Sequence, residues 1–88
     1  MTTTTSAAIT NGPKRPALSA REIEVLIEWL RNDSKLHVAR TLYIAPGTIN
    51  THLQRIRAKY AAAGRPATTK AALVVRAIQD GLVSVDEL

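Results

Sequence analysis

The chain has no cysteine and no phenylalanine, and only one tryptophan and two tyrosines among its 88 residues. Without cysteine there is no disulfide framework and no thiolate metal site. The two histidines, His37 and His52, are fifteen positions apart with no third ligand type arranged around them, so neither metal nor cofactor is expected. Apolar content comes from Ala, Leu, Ile and Val, which favours a compact helical domain over a β-sandwich. No apolar run approaches the length that spans a bilayer, and the N-terminus lacks the basic-then-apolar order of a signal peptide. A cytoplasmic location with no membrane partner is therefore expected. A chain this short has room for one small domain.

Acidic residues are missing from the middle of the chain. Between Ser34 and Gln79 stand Lys35, Arg40, Arg55, Arg57, Lys59, Arg65, Lys70 and Arg76, with no Asp or Glu. The seven acids lie outside that span, at Glu22, Glu24, Glu28 and Asp33 before it and Asp80, Asp86 and Glu87 after it. A basic segment with acidic ends is what a polyanion-binding surface on a small scaffold looks like.

Residues 1–17 are Thr-rich and then Gly/Pro-rich, without a periodic apolar pattern. They are expected to form a disordered tail or linker, with the folded domain over 18–88. Ser19 and Glu22 have the spacing of a capping box and mark the start of a first helix. Ile23, Leu26, Ile27 and Leu30 supply its core face, Val25 and Trp29 a second apolar edge, and Trp29 is read as packing rather than as a stacking platform. Asn32 is expected to end this helix in the left-handed conformation. Ser34 caps a short second helix to about Leu42, with Leu36, Val38, Ala39 and Leu42 as core candidates. Pro46 disfavours helix at Ala45 and suits the first turn of a third helix, so a turn of a few residues joins the two, as in a helix-turn-helix.

The third helix is predicted from about Pro46 to Ala63, stopping at Gly64. Ile49, Leu53, Ile56 and Tyr60 make one apolar stripe. The opposite face carries Gly47, Asn50, Thr51, Gln54, Arg55 and Ala58, which are small groups, amides, hydroxyls and one guanidinium. Those are the side chains that read base edges and hold phosphates. A connector follows, Thr68 or Thr69 caps a last helix to about Asp80, and Gly81 ends it. Leu73 and Ala77 form one apolar edge of this helix, Val74 and Ile78 a second, and Val75 a third. An element apolar on several sides in so small a domain suggests contact with something outside the monomer.

The string Leu18-Ser19-Ala20-Arg21-Glu22-Ile23-Glu24-Val25-Leu26, followed by Asp33-Ser34, Val38-Ala39 and Leu42-Tyr43-Ile44-Ala45-Pro46-Gly47-Thr48-Ile49-Asn50-Thr51-His52-Leu53, resembles the LuxR/GerE (NarL/FixJ) helix-turn-helix domain. Ile78-Gln79-Asp80-Gly81-Leu82-Val83 is similar to the family's closing segment. The resemblance implies an all-α, four-helix domain whose third helix enters the major groove and whose fourth helps two protomers pair. Such domains are often the output half of a two-component response regulator. On this chain the family's base-reading positions fall on Asn50, Thr51 and Gln54, and its backbone-holding positions mainly on Thr48, Arg55 and the start of the second helix near Lys35. Three departures stand out. Asn50 replaces a common Lys, His37 stands at a usually acidic position, and the connector Ala61–Lys70 is longer than the family leads one to expect.

The expected function is sequence-specific binding of double-stranded DNA by a transcription regulator. Lys35, Arg55, Arg57 and Lys59 would hold phosphates, Asn50 and Gln54 adenine edges, and Thr51 a thymine methyl. Val74 and Ile78 are expected to be a weak homodimer surface, completed on DNA, and RNA polymerase is a further candidate partner. Alternatives are a sigma-factor-like promoter-reading module and a helical protein-interaction adaptor without a DNA role. No catalytic residues are expected, because the basic region holds no paired carboxylates, no phosphate-cradling glycine loop and no nucleophile with an evident base.

Overall fold

The computed structural model describes residues 15–88. The tail expected over 1–17 therefore lies mostly outside the described residues, and of it Arg15, Pro16 and Ala17 form no regular element. Four helices follow: α1 Ala20–Arg31, α2 Lys35–Leu42, α3 Pro46–Ala62 and α4 Lys70–Gln79, with a short 3-10 turn at Val85–Glu87. The expected all-α, four-helix order is what forms.

Side-chain caps start three of the four helices. The Ser19 hydroxyl accepts from the Glu22 amide while Glu22 accepts from the Ser19 amide at 2.8 Å, completing the capping box. Ser34 accepts from the His37 amide and Thr69 from the Ala72 amide. The third helix differs: its N-cap is Ala45, which has no capping side chain, and Pro46 takes the first turn.

Three helix ends share one design. After α2, the Ile44 amide donates to the Ala39 carbonyl and the Tyr43 amide to that of Arg40, with Tyr43 left-handed at φ 58°. After α3, Arg65 N donates to Tyr60 O and Gly64 N to Ala61 O, with Gly64 at φ 76°. After α4, Leu82 N donates to Ala77 O and Gly81 N to Ile78 O, with Gly81 at φ 73°. Each is a Schellman motif, which satisfies the last carbonyls and turns the chain sharply. The left-handed residue expected at Asn32 is absent: Asn32 is extended, at φ −128°, because the chain runs on directly into the Ser34 cap.

The core takes one stripe from each helix. Val25, Leu26, Trp29 and Leu30 of α1, Val38 and Ala39 of α2, Ile49, Leu53, Ile56 and Tyr60 of α3, and Leu73 and Ala77 of α4 are buried together with Ala67 and Val83. α1 lies against the other three helices, and α2 also packs on α3. One core expectation needs correction. Leu36 is 47% exposed, since on this short helix Val38 and Ala39 fill the space facing α1 and α3. Val74 and Ile78 are half-buried against the core beside Leu73 and Ala77, so the expected free edge is only partly free, and Val75 is the valine of α4 that stands out, at 49%.

Candidate nucleic-acid interface

The third helix has a buried side, an open side and two flanks. Burying Ile49, Leu53, Ile56 and Tyr60 turns Asn50, Thr51, Gln54, Arg55 and Ala58 outward, and all five are exposed. Asn50 and Gln54 sit one turn apart, and neither amide has an intramolecular hydrogen bond among the described residues. Arg55 and Thr48 are exposed and similarly unengaged. The Thr51 hydroxyl donates back to the Gly47 carbonyl at 3.1 Å. At the helix start the uncapped first turn adds amides with no side-chain acceptor. A surface of free amides, the Thr48 hydroxyl and one guanidinium on the first three turns can meet groove edges and phosphates without first breaking internal bonds.

Both flanks are engaged with the domain. Nine residues are two and a half turns, so Lys59 points away from Asn50. Its ammonium donates to Glu22 at 2.6 Å and to the Ala17 carbonyl at 3.0 Å. Lys59, expected to hold the DNA backbone, is thus engaged within the domain, as a tie between α3 and the start of α1. Burial opposes ionisation of Glu22, but the Lys59 hydrogen bond, the Ser19 amide and hydroxyl and the Lys59 charge outweigh it, holding the carboxyl below its usual range. Arg57, about two turns from Asn50, stays on Asn50's side but is half-buried, with its guanidinium carbon 5.4 Å from the Trp29 ring centroid. Lys35 is exposed at the start of α2, 6.0 Å from the same ring.

The far end of α3 is closed by a buried polar network. The Tyr60 hydroxyl donates to Asp80 Oδ2 at 2.8 Å, and Arg65 reaches Asp80 Oδ1 at 2.9 Å and Oδ2 at 3.2 Å. Arg65 also donates to Gln79 and stands 5.3 Å from the Tyr60 ring centroid. Arg76 donates to Gln79 and to the Pro66 carbonyl. Burial and the Asp80 carboxylate push the Tyr60 phenol well above its usual range, so it remains a donor. Arg65 and Asp80 are 8% and 5% exposed, which makes them structural. Lys70 donates to the Asn32 carbonyl at 2.6 Å and faces Asp33 at 3.5 Å. Half of the acid-free basic span, Lys59, Arg65, Lys70 and Arg76, therefore has internal partners, and the outward cations are Lys35, Arg40 and Arg55. The network was missed in the sequence, where Arg65 and Asp80 read as surface charge. Its available signal was Tyr60, whose place on the core stripe obliges its hydroxyl to find a buried partner.

A model of bacterial regulatory proteins of the luxR family matches residues 16–72. The chain belongs to that family. It is a LuxR-type helix-turn-helix DNA-binding domain of a transcription regulator, and the family is not one of enzymes. Curated relatives include the "Probable transcriptional regulatory protein NarL" of two Mycobacterium tuberculosis strains, CDC 1551 / Oshkosh and ATCC 25618 / H37Rv. Each is 41% identical over 61 residues, covering 69% of this chain and 28% of the relative. The luxR-family chain thus spans well under a third of the length of these relatives. No solved structure matches it significantly. Among the described residues, no helix is long and apolar enough to cross a membrane.

Proposed function

We propose that the first three turns of α3 enter the major groove, with Asn50 and Gln54 each reading an adenine edge and Thr51 presenting its methyl to thymine. The observation that carries this reading is the pair of exposed, unpartnered amides one turn apart at the open end of α3. Thr48, Arg55, Arg57 and Lys35 are the backbone-holding groups, and the uncapped α3 N-terminus favours a nearby phosphate. A sigma-like promoter reader or a protein adaptor would not require this combination within a luxR-family domain.

The domain is further read as the output part of a response regulator, supported by the likeness to the NarL proteins. Two copies would meet on DNA through the outer side of α4, where Val75 is exposed and Val74 and Ile78 are half-exposed. One helix face falls well below the ~1,200 Å² of a stable interface, so pairing depends on the duplex bringing the copies together. A cytoplasmic site of action and contact with RNA polymerase accompany this reading. Selection of bound sequences from a random duplex pool tests it. A recovered motif with adenines at the Asn50 and Gln54 steps and repeated half-sites supports it, and recovery of no motif overturns it.

A further inference from the structure

The indole of Trp29 gathers cations from three different helices. Lys35 Nζ, at the first residue of α2, is 6.0 Å from the ring centroid, Arg57 Cζ of α3 is 5.4 Å away, and Lys70 Nζ, at the first residue of α4, is 4.9 Å away. Each is within reach of a cation–π attraction. Their shared ring leaves any two of them at most slightly more than a Debye length apart, which is roughly 10 Å at 0.1 M salt.

Charge in this cluster is not balanced. Its one paired carboxylate is Asp33, 3.5 Å from Lys70 and with a fully solvated side chain. Neither Lys35 nor Arg57 has an acidic or hydrogen-bonding partner among the described residues, and Arg57 Nε is buried with no acceptor. Lys70 uses one proton on the Asn32 carbonyl at 2.6 Å, and an ammonium carries two more. The neutral ring holds these cations in place without cancelling them, so the cluster has the chemistry of an anion seat. Its position narrows the anion. Arg57 lies on the Asn50 side of α3, and Lys35 opens the helix that packs beside it.

We propose that Lys35, Arg57 and Lys70, set around Trp29, form one seat for a backbone phosphate of the bound duplex beside the base-reading face, with Lys70 bringing α4 into the DNA contact. The proposal rests on the DNA-binding reading above and adds a residue outside the helix-turn-helix. It also gives the long connector a role: the segment between α3 and α4 delivers Lys70 to Trp29, so that the helix proposed to pair two copies is held by the same phosphate as the reading helix.

Trp29 is the chain's one tryptophan, so its emission reports on the seat without a label. Full-length wild type, Lys70→Gln and Lys70→Arg are titrated with selected and random duplex across a salt series, following Trp29 fluorescence and an independent mobility assay. The expected result is a steep wild-type log–log slope and a Trp29 response to duplex. Lys70→Gln should be shallower by about 1 and weakened equally on both DNAs, and Lys70→Arg should keep the wild-type slope. If Lys70→Gln melts at a lower temperature, Arg57→Gln is measured in the same way. A wild-type slope in both variants, or Trp29 emission unmoved at saturation, overturns the seat while leaving DNA binding intact. A wild-type slope near zero overturns both. Inorganic phosphate at matched ionic strength is the second arm. A Trp29 response to it, together with an unchanged duplex slope in Lys70→Gln, assigns the cluster to a free anion and overturns the duplex contact.

Discussion

The two ends of α3 are built to opposite specifications. At its entrance the N-cap is an alanine without a cap bond, and the outward side chains of Thr48, Asn50, Gln54 and Arg55 are unengaged among the described residues. At its exit a glycine Schellman turn, a buried tyrosine hydroxyl and a buried Arg65–Asp80 pair tie the chain down. Charge alone does not distinguish these ends, because both belong to the same acid-free stretch of sequence. What distinguishes them is whether each polar group already has a partner in the folded chain. A group that has one contributes stability, and breaking it out for DNA costs that contribution back. A group without one binds DNA at only the cost of its hydration and its side-chain freedom.

The largest effect is therefore expected at the closed end. Asp80→Ala leaves Arg65 buried without its carboxylate and Tyr60 without its acceptor, and should destabilise the domain by about 3–5 kcal/mol. At about 4–8 °C per kcal/mol for a domain of this size, the melting temperature should fall by well over ten degrees. Tyr60→Phe removes only the hydroxyl and should cost about 1 kcal/mol. Chemical denaturation of both variants checks the ranking. An Asp80→Ala protein as stable as wild type would mean that the two ends do not differ in the way described.

At the open end the effect should move from folding to binding. Asn50→Ala and Gln54→Ala should each lose about 1–3 kcal/mol on the selected site and much less on random duplex. Their melting should change by no more than about 0.5 kcal/mol, since both side chains are exposed and bond to nothing among the described residues. Parallel titration and thermal melts separate the two quantities. Equal losses on both DNAs would reduce the two amides to positioning groups.

Most of this architecture was legible in the residues. The capping box at Ser19 and Glu22, the N-cap Ser34, the Pro46 start and the stripe Ile49–Leu53–Ile56–Tyr60 are local patterns, and each occurs where its spacing puts it, while of the two candidates Thr68 and Thr69 it is Thr69 that caps the last helix. The outward placement of Asn50, Thr51 and Gln54 followed from the same stripe. What could not be read is which long side chains fold back. Lys59 and Arg55 are both basic residues of one helix, but only Lys59 lies over the α1 N-terminus, and no local pattern encodes that contact with a residue 37 positions away. The pairing of Arg65 with Asp80 spans a loop in the same way. How far Val74 and Ile78 stand free of the core could not be read either, because a half-buried flank and a free edge have the same helical spacing.

Arg55 and Lys59 make the sharpest paired test. Arg55→Gln should weaken binding to all duplexes alike and flatten the salt slope by about 1, with little change in melting. Lys59→Gln should leave the slope as it was and lower stability, because Glu22 loses its counter-charge. The same tie predicts an acid dependence. Since the folded-state pKa of Glu22 is depressed, its stabilisation is present above the ordinary glutamate pKa of about 4.3 and is lost as pH falls through the lower folded value. Glu22→Gln should remove that part of the acid sensitivity. A wild type that melts identically at pH 7 and pH 3 would show that the Glu22–Lys59 tie contributes nothing.

The smallest expected effect concerns the turn that feeds the open end. Three Schellman motifs close α2, α3 and α4, and the two beyond the reading face use glycine at the left-handed position. The turn into α3 uses Tyr43 there, a residue 93% exposed. A left-handed conformation costs an L-residue roughly 1–2 kcal/mol, and a residue so exposed recovers little of this by packing. Glycine relieves the strain, but its freer unfolded chain takes part of the gain back. Tyr43→Gly should therefore stabilise the domain by about 1 kcal/mol or less, raising the melting temperature by a few degrees. A lower melting temperature would show that the ring packs in a way its exposure does not reveal. If stability rises as expected while affinity for duplex falls, the open end retains a strained tyrosine for the sake of contact, and the contrast between the two ends of α3 extends into the turn that precedes it.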